Sequence, residues 1–183
     1  MTFSEQDLSH ILAALRLSAD RHRNQRRKNI ESTPYINHPI DVADLLWRIG
    51  NVRDTTVIIA ALLHDVIEDT KTAPVEIECL FGNTVLSVVL ELTDDKSLPK
   101  SERKRLQIEH SPYLSAAAKQ ISLADKICNV LDTVLSPPKD WSIERRIDYL
   151  DWTEQVVAGL RGCNPPLEQY YDEVLLDSRK KIF

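Results

Sequence analysis

Seven consecutive apolar residues, Val57 through Leu63, run without a break into His64-Asp65-Val66-Ile67-Glu68-Asp69. A run with no polar face must be surrounded by protein whatever element it forms. Its β-branched start, Val57-Ile58-Ile59, is compatible with a buried strand. Its continuation through Ala60-Ala61-Leu62-Leu63 into ionisable residues favours a helix buried on all sides, and we read it so. On such a helix His64 shares a face with Glu68, and Asp65 with Asp69, because four residues make about one turn. Ionised groups are costly to bury without partners. A divalent cation would supply the opposite charge, whereas an acidic helix end emerging into solvent would need none. The hexapeptide alone leaves both readings open.

The rest of the chain predicts an all-α helical bundle in a single domain, residues 1–183. Leu8, Ile11, Leu12, Leu15 and Ala19 fall on one helical face behind Ser4, a candidate N-cap. Ile40, Val42, Ala43, Leu46 and Trp47 mark a second helix ending near Gly50. Residues 99–110 read as a charged helix with Pro99 in its first turn, and Ile143, Ile147, Leu150, Val157 and Leu160 as a helix ending near Gly162. Residues 115–134 are apolar apart from a stripe of Ser122, Asp125, Asn129 and Asp132. Ser32-Thr33-Pro34, Ser136-Pro137-Pro138 and Asn164-Pro165-Pro166 read as turns. No strand-turn-strand alternation and no internal repeat is present.

A net charge of −5 argues against a general nucleic-acid binder, so the basic run Arg21, Arg23, Arg26, Arg27 and Lys28 stands out locally. Cys79, Cys128 and Cys163 are widely spaced and form no C-x-x-C pair, which argues against a disulfide framework or zinc knuckle. There is no signal-peptide pattern and no membrane-length apolar run, so a cytoplasmic protein with neither nucleic-acid nor membrane partners is expected. Monomer and homodimer both remain open.

Two further positions bear on the hexapeptide. His38 lies between Pro34 and Pro39, which places it at a helix start. Asp125 is flanked by Ile121, Leu123, Ala124, Ile127 and Cys128, so it needs a cation or a donor; Lys126 or an arginine would serve as well as a metal. Together His38, His64, Asp65 and Asp125 offer two imidazoles and two carboxylates, a mix suited to Mn²⁺, Fe²⁺ or Zn²⁺. On a six-coordinate ion this would leave room for water and a phosphate oxygen. Glu68 and Asp69, one turn beyond, could orient that water and accept its proton. His10, His22 and His110 read as surface residues. Trp47, Trp141 and Trp152 read as core or interface. Asp94 and Asp95 read as caps of the charged helix.

The paired His64-Asp65, with a histidine upstream and an aspartate downstream, resembles the HD superfamily. Arg26-Arg27-Lys28, Thr33 to Pro39, Ala60 to Thr70 and Leu123-Ala124-Asp125-Lys126 resemble the hydrolase domain of RelA/SpoT homologues. Thr93-Asp94-Asp95-Lys96-Ser97-Leu98-Pro99-Lys100, Glu102 to Gln107, Trp141-Ser142 with Arg145 and Tyr149, and Gly159-Leu160-Arg161-Gly162 resemble the small alarmone hydrolases of the metazoan SpoT-homologue type. The resemblance implies an HD-type fold, one Mn²⁺ per chain, and removal of the 3′-pyrophosphate of the nucleotide (p)ppGpp. Some family members also take the 2′-phosphate from NADPH. It further implies metal ligands at His38, His64, Asp65 and Asp125, water activation at Glu68 and Asp69, and a nucleotide site at Arg27, Lys28, Lys100, Arg103, Asn129, Arg145 and Tyr149. Two departures bear on substrate preference. Leu131 stands where the family usually has arginine, and Cys128 where it has tyrosine or a bulkier apolar residue.

Overall fold

The apolar run Val57–Leu63 lies in a helix with every one of those side chains buried, at the centre of the molecule. The computed structural model describes residues 3–182, and among these the secondary structure is helical, with two isolated backbone bridges and no strand. In chain order the helices are α1 (Glu5–Arg21), α2 (Asn37–Arg48), α3 (Thr55–Leu63), α4 (Val66–Asp69), α5 (Pro74–Leu92), α6 (Lys100–His110), α7 (Ala116–Leu135), α8 (Ile143–Leu160) and α9 (Pro165–Ile182). A 3₁₀ turn, Ser111–Tyr113, links α6 to α7. Helices α1, α2, α5 and α7 all pack on α3, and α9 covers α7. No helix among the described residues is long and apolar enough to cross a membrane.

Most boundaries have a local cause. Ser4 Oγ accepts the Asp7 N–H at 3.1 Å and Asp7 returns a carboxylate to the Ser4 N–H at 3.0 Å, a reciprocal cap for α1. Asp54, Ser115 and Ser142 cap α3, α7 and α8 by accepting one first-turn N–H each, without the reciprocal bond. The buried stripe of α1 is displaced from the expected one. Ala14 and Ser18 are buried, while Leu8 and Leu12 are 52% and 55% exposed. Apolar spacing allowed two adjacent stripes, and contact with α3 selected one.

Three elements differ from the sequence expectation. The predicted continuous helix breaks at His64-Asp65, where Asp65 turns to φ −99°, ψ −5° between α3 and α4. Helix α5 was hidden because Gly82, at φ +84°, kinks it and resets the apolar period. Asn164-Pro165-Pro166 is a helix start and not a simple turn: Asn164 Oδ1 accepts the Leu167 N–H at 3.2 Å, and proline is at home in a first turn.

Candidate metal centre and active site

The break after α3 determines the site. It leaves His64 and Asp65 at the end of a buried helix, facing His38 on the first turn of α2 and Asp125 midway along α7. One donor atom each from His38, His64 and Asp65 lie within 4.8 Å of one another. Asp125 is not within that distance of all three but lies beside them, its Oδ1 3.0 Å from His38 Nε2. Both imidazoles are buried. His64 Nδ1 lies 2.8 Å from the Ala61 carbonyl, which can only accept, so Nδ1 carries the hydrogen and Nε2 faces the cluster. That Nε2 is buried without a hydrogen-bond partner, although Asp65 Oδ2 is 3.1 Å away. A buried imidazole nitrogen without a hydrogen-bond partner, beside two carboxylates, fits a divalent cation of the nitrogen- and oxygen-binding kind.

The carboxylates are held from behind. Tyr35 donates its hydroxyl to Asp65 Oδ2 at 2.6 Å. Asn129 Nδ2 donates to Asp125 Oδ1 at 2.6 Å, and Lys126 Nζ to Asp125 Oδ2 at 2.8 Å. Burial opposes ionisation of Asp65, but His64 and His38 hold it below the ordinary carboxylate range. For Asp125 burial is likewise outweighed, by Lys126 and His38, and it lies well below that range. Burial would pull His64 down, yet Asp65 and Asp125 raise it to about 9. The two carboxylates thus favour a positive charge at this centre, whether a proton or a cation.

Glu68 and Asp69 lie just beyond, on α4. Glu68 Oε2 accepts the Asp94 N–H at 3.0 Å, with Arg103 and Lys96 each 3.6 Å from Oε1. Burial raises the Glu68 pKa; the Asp94 N–H opposes this, the carboxylates of Asp94 and Asp65 add to it, and Lys96 offsets part. Asp69 accepts Gln25 Nε2 on Oδ2 at 2.7 Å and pairs with Lys96 on Oδ1.

The centre opens into a cleft of about 460 Å³, adjoined by a second of about 460 Å³. Arg27, Lys100, Asn129 and Tyr149 line both, Arg103 lines the first and Lys28 the second. Arg27 donates to Asn129 Oδ1 at 3.0 Å and pairs with Asp132. Arg145 is exposed, with its guanidinium 4.8 Å from the Trp141 ring centre. Leu131, one of the two departures, packs against the core, and Cys128 is buried with its thiol pushed well up by burial and by Asp125.

Several residues at the site had no role in the sequence reading. Trp141 and Trp152 flank Tyr149, each at 5.2 Å between ring centres, and Trp152 lines the first cleft. The Tyr149/Trp152 spacing of three on a helix was the available signal. Lys104 Nζ lies 4.5 Å from the Trp152 ring centre and Lys126 Nζ 5.2 Å from it. Asp94 and Asp95 do not cap α6: the Asp94 carboxylate accepts Gln107 Nε2 at 2.8 Å, and Asp95 accepts the Ser97 N–H at 2.9 Å. His22, expected at the surface, is 1% exposed.

The pattern of an HD domain matches residues 14–150. The chain belongs to the HD-domain family. This HD domain is 50% identical over 171 residues to a Xenopus tropicalis protein named guanosine-3′,5′-bis(diphosphate) 3′-pyrophosphohydrolase MESH1, covering 93% of this chain and 96% of that one. A human protein of the same name is 48% identical over 163 residues, covering 89% and 91%. In three dimensions the HD domain matches a solved metazoan orthologue of SpoT, described as hydrolysing ppGpp and acting in starvation responses. The TM-score is 0.92 at 43% identity, with all of both chains covered.

Proposed function

We propose that this protein is a metal-dependent (p)ppGpp 3′-pyrophosphohydrolase that converts ppGpp and water to GDP and pyrophosphate in the cytoplasm. The observation that supports this reading is the cluster of His38, His64 and Asp65 with Asp125 beside it, next to Glu68 in the first cleft and Asp69 in the second, both clefts walled by cations and aromatic rings. The relatives' names supply the substrate class. His38, His64, Asp65 and Asp125 would hold one divalent ion per chain, Mn²⁺ being the candidate and Fe²⁺ or Zn²⁺ the alternatives. When bound, such an ion polarises the phosphoryl group and acidifies water.

The protein's own residues do the rest. Glu68 and Asp69 orient the attacking water, and burial, which raises the Glu68 pKa, makes its carboxylate the better proton acceptor. Arg27, Lys28, Lys100, Arg103 and Asn129 grip phosphate oxygens, and Arg145 steers at the rim. The Tyr149 ring offers the base a stacking face. The intact carboxylate pair disfavours a silent alarmone-binding module.

The test is product analysis with Mn²⁺-loaded protein. One-step release of GDP and pyrophosphate from ppGpp is expected, abolished by a chelator and restored by Mn²⁺. Sequential release of two orthophosphates would indicate a stepwise phosphatase. Turnover of NADPH without turnover of ppGpp would replace this reading with a 2′-phosphatase.

A further inference from the structure

His22 follows the last residue of α1 and is 1% exposed, with its ring centre 4.9 Å from that of Tyr35. Its Nδ1 lies 2.6 Å from Gln25 Oε1, and Gln25 Nε2 lies 2.7 Å from Asp69 Oδ2. Three side chains therefore form a line from the buried end of α1 to the carboxylate pair. Its polarity follows from elementary chemistry. An ionised carboxylate only accepts, so the Gln25 amide must present its NH₂ to Asp69. Its oxygen then faces His22, whose Nδ1 must carry the hydrogen. The remaining His22 Nε2 is a buried lone pair with no partner.

We infer that His22 and Gln25 form a positioning relay that fixes the rotamer of Asp69 for catalysis. The inference rests on the reading of Asp69 as a water-orienting group. Holding Oδ2 from behind leaves Oδ1 as the oxygen directed at the attacking water. Lys96 pairs with that oxygen from a side chain 48% exposed. An apolar side chain at position 22 would pack without an orphaned nitrogen, so stability alone does not account for the imidazole. The line Asp69–Gln25–His22 accounts for it: with the Gln25 NH₂ on Asp69 its oxygen needs a donor, and His22 Nδ1–H supplies one.

The experiment compares Gln25→Met, His22→Leu and His22→Asn in Mn²⁺-loaded protein. Methionine keeps the length of glutamine without the amide. In His22→Asn, the side-chain nitrogen takes the place of Nδ1. Gln25→Met and His22→Leu are expected to lower kcat about 10- to 100-fold with KM and Mn²⁺ content unchanged, the scale of a misplaced catalytic group. His22→Asn should recover most of the loss. Adding Gln25→Met to Asp69→Asn should cost nothing further, because both act through one oxygen. Wild-type kcat in Gln25→Met, multiplying losses in the double variant, or His22→Asn no better than His22→Leu would each overturn the relay. Should Gln25→Met melt early, the comparison of the two His22 variants decides alone. Full activity of Asp69→Asn would instead bring down the role of Asp69, and absence of pyrophosphate release by the unaltered enzyme would bring down the functional reading.

Discussion

His64 Nε2 lies 3.1 Å from Asp65 Oδ2, in a ring whose other nitrogen is fixed on the Ala61 carbonyl at 2.8 Å. Neighbours in sequence, the two residues bring their polar atoms together because α3 ends at Leu63, just before them. In the metal-free protein this arrangement raises His64 from 6.5 to about 9. The sign follows from linkage. A raised histidine stabilises the metal-free fold fully below its unfolded pKa, and the contribution is lost as pH rises through about 9. A metal must displace the same proton. Metal affinity should therefore climb with pH across this window, by about tenfold per unit for one proton released. Competition titrations against a chelator would show it, and the melting temperature of the metal-free protein should fall over the same range. A flat affinity would remove His64 from the ligand set.

Glu68→Gln and Asp125→Asn separate chemistry from metal binding. Glutamine still accepts the Asp94 N–H but takes no proton, so turnover should fall at least about 10²-fold with metal content near wild type. Asp125→Asn removes a ligand charge and should lose metal together with activity. Elemental analysis beside steady-state rates distinguishes the two. Equal metal loss in both variants would place Glu68 among the ligands.

Asp94→Asn probes the raised pKa of Glu68. The backbone N–H bond to Glu68 survives this substitution, while a like charge is removed. The acid limb of kcat/KM should move to lower pH. The raised value also means that ionised Glu68 costs folded-state stability above its unfolded pKa of about 4.5, a cost that disappears as pH falls below it. A limb that stays put or moves upward would show that Glu68 is not the group being titrated.

Gly159→Ala tests the seat of the cleft floor. A Cβ there would stand 2.1 Å from Ser111 Oγ and 2.9 Å from Pro112 Cδ. Ser111 is buried and donates to the Ile108 carbonyl at 2.9 Å, so it has little freedom to retreat. Overpacking should cost about 1–3 kcal/mol in urea unfolding. Glycine-to-alanine in an open helix interior stabilises by roughly 0.5–1 kcal/mol, so the sign alone decides whether the contact matters.

Sequence by itself determined what depends on neighbours along the chain. The all-α class followed from helical apolar spacing, the start of α1 from Ser4, and the buried nature of α3 from a run with no polar face. The proline bracket placed His38 at a helix start, and the acidic hexapeptide marked the site. Only the tertiary structure decided which groups meet. It brought Asp125 to His38 across the interface of α2 and α7, buried His22 against Tyr35, ended α3 at Leu63 just before His64 and Asp65, and left Arg145 exposed beside Trp141 while Lys104 and Lys126 gathered at Trp152. Periodicity specifies which side of a helix is apolar, but not what will lie against it. Whether a polar group is solvated, paired or orphaned is settled by residues remote in sequence, as Tyr35 covers His22 and the Asp94 N–H meets Glu68.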